Sequence, residues 1–153
     1  MNKDNALPPD PGMPRGGPVD SDPAIEAMLR EEAHRRAERP AIELEGEAAL
    51  RRLFNVAQGD SGQCRYIARF LLGLYNGQRF PFDLTDLRAI DAELFDDCVA
   101  LLKMDSQPRQ EVHCYFEDGG RKFEQLAKEW NVLDVAALKS AARDAALPVQ
   151  GLT

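Results

Sequence analysis

Residues 58–63 read Gln58-Gly59-Asp60-Ser61-Gly62-Gln63. A serine framed in this way is the nucleophile of one class of serine protease, so the first question is whether Ser61 can attack. Such chemistry needs a base on the hydroxyl and an acid that orients the base. The chain has two histidines. His34 falls in a charged helical stretch and His113 in a loop, and no triad pattern accompanies either. The protease fold also needs two β-barrels, for which this chain is too short and too helical. A local structural role explains each letter instead. Gly59 falls just past a helix, where a left-handed residue suits glycine. Asp60 is then expected at the N-cap of the next helix, with Gln63 completing a capping box.

The other reactive types are sparse. Cys64, Cys98 and Cys114 are far apart and form no Cys-x-x-Cys pair, so no metal site is expected. Cys64 and Cys98 sit in helical patterns, where a free thiol packs as a small hydrophobe. Adjacent side chains seldom point at each other, so His113 and Cys114 are not expected to form a nucleophile–base dyad. Neither a G-x-x-x-x-G-K-[S/T] nor a G-x-G-x-x-G phosphate loop is present. With no convergent set of groups, the expectation is no catalytic residue, no cofactor and no enzyme.

Residues 83–97, DLTDLRAIDAELFDD, gather Asp83, Asp86, Asp91, Glu93, Asp96 and Asp97 around the single base Arg88. With Leu87, Ile90, Leu94 and Phe95 turned inward, these carboxylates collect on the outer side. An ordinary solvated face with capping aspartates is one reading. The functional reading is a negative patch that docks on Lys or Arg of a protein partner, including one that normally grips nucleic acid. These six residues are the candidate partner-binding set.

The elements that hold these groups belong to a chain of 153 residues, 44% hydrophobic, enough for one compact domain. The formal net charge of −7 argues against direct nucleic-acid binding. Arg35-Arg36 and Arg51-Arg52 are basic pairs among acids, expected on solvated helix faces. No apolar run approaches the roughly 18 residues that span a bilayer, and no secretory signal is visible. The odd number of scattered thiols suits a reducing compartment. A cytoplasmic protein without a membrane partner is the expectation.

Along the chain, residues 1–21 read as a disordered tail rich in Pro and Gly. Residues 22–40 form a charged N-terminal helix that Asp22-Pro23 opens and Pro40 ends. Residues 41–147 form a helical domain, and 148–153 a C-terminal tail. The domain starts with a helix near 47–58. A central, most buried helix follows at 62–76, stopped by Asn76-Gly77. A helical stretch then runs from Asp83 to about Met104, with a break near Asp91. Its expected core face is Leu94, Phe95, Cys98, Val99, Leu101 and Leu102. Residues 105–120 stay open, with Val112–Phe116 either a short strand or a helical turn. Phe123, Leu126, Ala127 and Trp130 mark a further helix, and Asp134 caps an Ala-rich one reaching about Ala146. The fold class expected is all-α, a compact bundle of about five to six helices with a flexible N-terminal tail.

The block at 49–91, ALRRLFNVAQGDSGQCRYIARFLLGLYNGQRFPFDLTDLRAID, resembles a small domain family of unknown function found in proteobacterial genomes, often among plasmid and integrative-element genes. The resemblance lies in VAQGDSGQ with a following arginine, in the aromatic-Asn pair Tyr75-Asn76, and in FDLTDL with an Asp shortly after. FEQLAKEW, residues 123–130, is similar to the family's closing helix. The likeness spans roughly 47–131, and where members place tryptophans this chain has Leu74-Tyr75. The setting, not any motif, implies a mobile-element protein that inhibits a host defence complex, such as a CRISPR effector or its nuclease. The alternative is an accessory or regulatory mobile-element protein that binds some other protein.

Overall fold

The computed structural model describes residues 11–12, 20 and 22–146. The tails expected at 1–21 and 148–153 lie outside these residues, apart from positions 11, 12 and 20. Helix α1 spans Pro23–Ala57, α2 Gly62–Asn76, α3 Ala92–Asp105, α4 Gly119–Glu129 and α5 Val135–Ala146. Two 3₁₀ turns, Leu84–Ala89 and Val112–Tyr115, lie before and after α3. No strand occurs among the described residues, so the fold is all-α and Val112–Tyr115 resolves as a helical turn.

The chain divides into two units between Ala37 and Glu38. In the first unit, Asp22 opens α1 by accepting a hydrogen bond from Ala24 N at 3.0 Å. Glu31–Arg35 and Glu32–Arg36 then pair one turn apart, each at 2.5 Å. Every residue from Pro23 to Ala37 is exposed, including Ile25, Met28 and Leu29.

The expected helix end at Pro40 is not found. One helix of 35 residues runs through it, although proline has no N–H for the Arg36 carbonyl and crowds that carbonyl. Neighbouring contacts offset that loss. Arg39 donates to the carbonyls of Lys103 at 3.3 Å, Met104 at 2.7 Å and Gln107. It also pairs with Glu43 at 3.2 Å, which in turn holds Arg109 at 3.0 Å. Charge-assisted bonds to the carbonyls at the end of α3 therefore hold the turn around Pro40 in place.

Beyond Pro40, the core of the second unit is built as the apolar spacing demands. Helix α1 contributes Leu50, Leu53 and Ala57, three and four residues apart, with Ala49 beside Leu50. Helix α2 buries Cys64, Ile67, Ala68, Phe70, Leu71 and Leu72, which makes it the central helix as expected. Helix α3 adds Cys98, Leu101 and Met104, and α4 adds Phe123, Leu126 and Ala127. A Cβ on Gly46 would fall 2.4 Å from that of Met104, so α1 and α3 approach here too closely for any other residue. Trp130 closes the core by donating from Nε1 to Ala57 O at 2.8 Å.

Two local expectations change. Ser61, not Asp60, holds the N-cap of α2, and its side chain makes no capping bond. Gln63 instead accepts from Asp91 N at 2.7 Å, so the predicted capping box does not form. Gly59 is not left-handed. A Cβ there would lie 2.8 Å from Cys64 Sγ, so close approach to the next helix explains it. In α3, Phe95 and Leu102 are not core residues. They are 41% and 39% exposed, because the buried stripe runs through Cys98, Leu101 and Met104, with half-buried Leu94 packed against the core.

Candidate docking surface

The six acidic candidates divide by what their carboxylates already do. Asp83 caps the first 3₁₀ turn, accepting from Thr85 N at 2.8 Å and Thr85 Oγ1 at 2.7 Å. The Thr85 hydroxyl is the main cause that holds its carboxyl below the usual range. Asp91 caps α3 by accepting from Leu94 N at 3.0 Å. Asp97 faces α1 and takes both ends of a fork from Arg52, at 3.0 Å and 2.7 Å. Asp86 lies 3.9 Å from Arg69. Glu93 and Asp96 are exposed, and no base among the described residues pairs with them.

The outer side of α3 is therefore narrower and more apolar than six carboxylates in a row. Phe95, Val99 and Leu102 follow one another at spacings of four and three along it. Val99 is half-buried and the other two are exposed. Asp96 is exposed next to Phe95 in the chain, and Glu93 is exposed in the first turn of α3. The sequence pattern missed the stripe because Phe95 and Leu102 fit a helical core period as well as an outward one.

Asp83 and Asp86 sit elsewhere, on the rim of an apolar cleft of about 310 Å³. Phe80, Phe82, Val132 and Leu133 line it, and Arg69 stands opposite the acids. Behind this cleft lies a polar cluster that the sequence did not announce. Arg79 donates from Nε to Asp134 Oδ2 at 2.9 Å. Its two terminal nitrogens reach both oxygens of Glu124, Nη2 at 3.1 Å from Oε2. Tyr75 donates to the same carboxylate at 2.9 Å, and the Arg79 guanidinium lies 4.7 Å from the centre of the Phe80 ring. Hydrogen bonds from Arg79 hold Glu124 below its ordinary range and in return raise Arg79. Asp134 is also lowered, first by the Ala137 backbone N–H it caps and then by Arg79. This cluster ties α2, α4 and α5 together and is structural.

Groups that could do covalent chemistry do not converge. Ser61 Oγ lies 3.1 Å from Cys64 Sγ rather than against an imidazole. Contrary to expectation, His113 Nε2 does approach its neighbour Cys114, 3.6 Å from Sγ. The ring is aimed by Tyr75, whose centroid lies 5.1 Å away at 83°. His113 Nδ1 is buried without a hydrogen-bond partner, so the acid that would orient a catalytic imidazole is missing. Burial pushes the Cys98 thiol up to about 12. No cluster of three or more metal-ligating side chains occurs among the described residues. None of their helices is long and apolar enough to cross a membrane.

The model of a family of unknown function, DUF7673, matches residues 47–131. That is more than half of the chain, which therefore belongs to this family. The matched part holds the acidic segment, α2, α3 and α4. No curated protein and no solved structure is significantly similar to the chain.

Proposed function

We propose that this DUF7673 member is a non-enzymatic interaction protein that docks on a basic surface of a protein partner. The observation behind this reading is α3, on which Phe95 and Leu102 are exposed and Glu93 and Asp96 are exposed carboxylates without a base among the described residues. Exposed aromatic and aliphatic side chains supply the desolvated centre of an interface, and unpaired carboxylates at its edge steer a basic partner. The net charge of −7 reinforces that steering over longer range. Asp83 and Asp86 lie outside this face, at the separate cleft, while Asp91 and Asp97 support it by holding α3 in place. In the mobile-element setting that the resemblance implies, the partner is a cytoplasmic host defence complex, such as a CRISPR effector or its nuclease, met at a surface built for nucleic acid.

The test is association with a CRISPR effector complex at two salt concentrations. The wild-type protein should bind more slowly as salt rises. Glu93→Lys with Asp96→Lys should slow association about tenfold or more. Circular dichroism should stay unchanged, because both residues are exposed. Equal association rates for a folded double variant would remove α3 as the docking face. A complex that fails to bind the wild-type protein at all would remove the defence-complex reading.

A further inference from the structure

A second surface has the opposite chemistry. Arg51, Phe54 and Asn55 on the last turns of α1, with Gln58 just past its end, form one wall of a groove of about 720 Å³. Arg121, Lys122 and Gln125 on α4 form the other wall. Three bases thus meet in one groove of a chain whose net charge is −7, with only Glu129 opposing them in the lining. We infer that this groove binds an extended Asp/Glu-rich peptide segment of a partner protein.

The groove is held ready for such a ligand. Arg51 is fixed by Glu47 at 2.9 Å and by Tyr115 O at 3.0 Å, and its guanidinium lies 5.4 Å from the centre of the Phe116 ring. Its side chain still keeps 52% of its surface open. A guanidinium fixed in this way presents its remaining N–H groups to a carboxylate at little cost in lost freedom. Arg121 is almost fully exposed and, among the described residues, pairs with Asp118 at 3.0 Å; Lys122 is exposed. The carboxamide of Asn55 is engaged by no described residue, and Gln58 uses only its Nε2, on Phe54 O at 3.4 Å. Amides placed between bases suit a peptide backbone, which offers both donors and acceptors. Phe54, packed on Phe116 at 4.7 Å and Phe123 at 5.4 Å, gives the groove a rigid apolar floor.

Charge placement selects peptide over nucleic acid. Glu47, Asp118 and Glu129 stand next to the three bases, so a strand with a phosphate on every nucleotide would meet carboxylates as often as cations. A peptide can present its acids at the bases alone. This site is independent of the α3 docking face, so either can fail without the other.

The probe is a fluorescein-labelled octapeptide of alanines with two adjacent glutamates at its centre, read by anisotropy. Saturable binding that weakens with salt is expected. Arg121→Glu with Lys122→Glu should weaken it about tenfold or more, the change that loss of one charge-assisted contact brings. The fold should survive, because acidic residues in the first turn of α4 suit the helix dipole. Glu93→Lys with Asp96→Lys should leave peptide affinity unchanged. Absence of saturable binding, equal affinity in the folded Arg121/Lys122 variant, or tighter binding of a short oligothymidylate would each overturn the proposal.

Discussion

Gln63 does its work at a distance in the chain. Its side chain bonds the backbone of Asp91, the residue that caps α3, so one carboxamide fixes the start of a helix 28 positions on. Gln63→Ala should lower stability by about 1 kcal/mol, the usual worth of one such bond. Asp60→Ala, at an exposed position outside the cap, should change stability by less than about 0.5 kcal/mol. Denaturant unfolding of the two variants checks the order, and a larger loss at Asp60 would restore the capping box. The spacing Asp60-x-x-Gln63 was legible in the sequence, but its partner was not. Local patterns propose near neighbours, and a bond across 28 residues leaves no periodic trace. The same holds for Arg79, whose carboxylates lie 45 and 55 residues away.

Helices α2, α3 and α4 were readable because their apolar residues recur at helical spacing; Asp134 was readable as a cap, and Asp91 as a break, which the structure shows to be the cap of α3. Two readings failed for physical reasons. Apolar residues that surround most of α3 do not say which side faces in, so Phe95 and Leu102 were placed inward. Proline was taken to end α1, since sequence alone could not show the carbonyls of Lys103, Met104 and Gln107 that secure Arg39 beside it. Pro40→Ala restores an N–H to the Arg36 carbonyl and relieves the ring's crowding. Stability should rise by about 1–3 kcal/mol, with a higher melting temperature. A fall would mean that the proline's fixed backbone is needed to seat Arg39.

Across the whole molecule, the Arg79 cluster sets how the fold answers to acid. Arg79 holds Glu124 below its ordinary value of 4.5, so the stabilisation is complete above that pH. It is lost as pH falls through the lower value of the folded state. Melting temperature measured downward from neutral pH should drop more steeply for the wild type than for Glu124→Gln, which has no such proton to take up. Parallel curves would mean that the cluster adds nothing to the acid response. The acidic segment was legible at this scale as composition, but its division into caps, pairs and open carboxylates needed the packing of α3 against α1. The three thiols were foreseen as unlinked, and their unequal burial has a practical consequence. Cys64 and Cys98 are closed off in the core, whereas Cys114 is open to solvent. A maleimide dye should therefore attach at one position in the native protein without any cysteine being replaced, beside the turn that leads into α4. A fluorophore there would report from the neighbourhood of the basic groove.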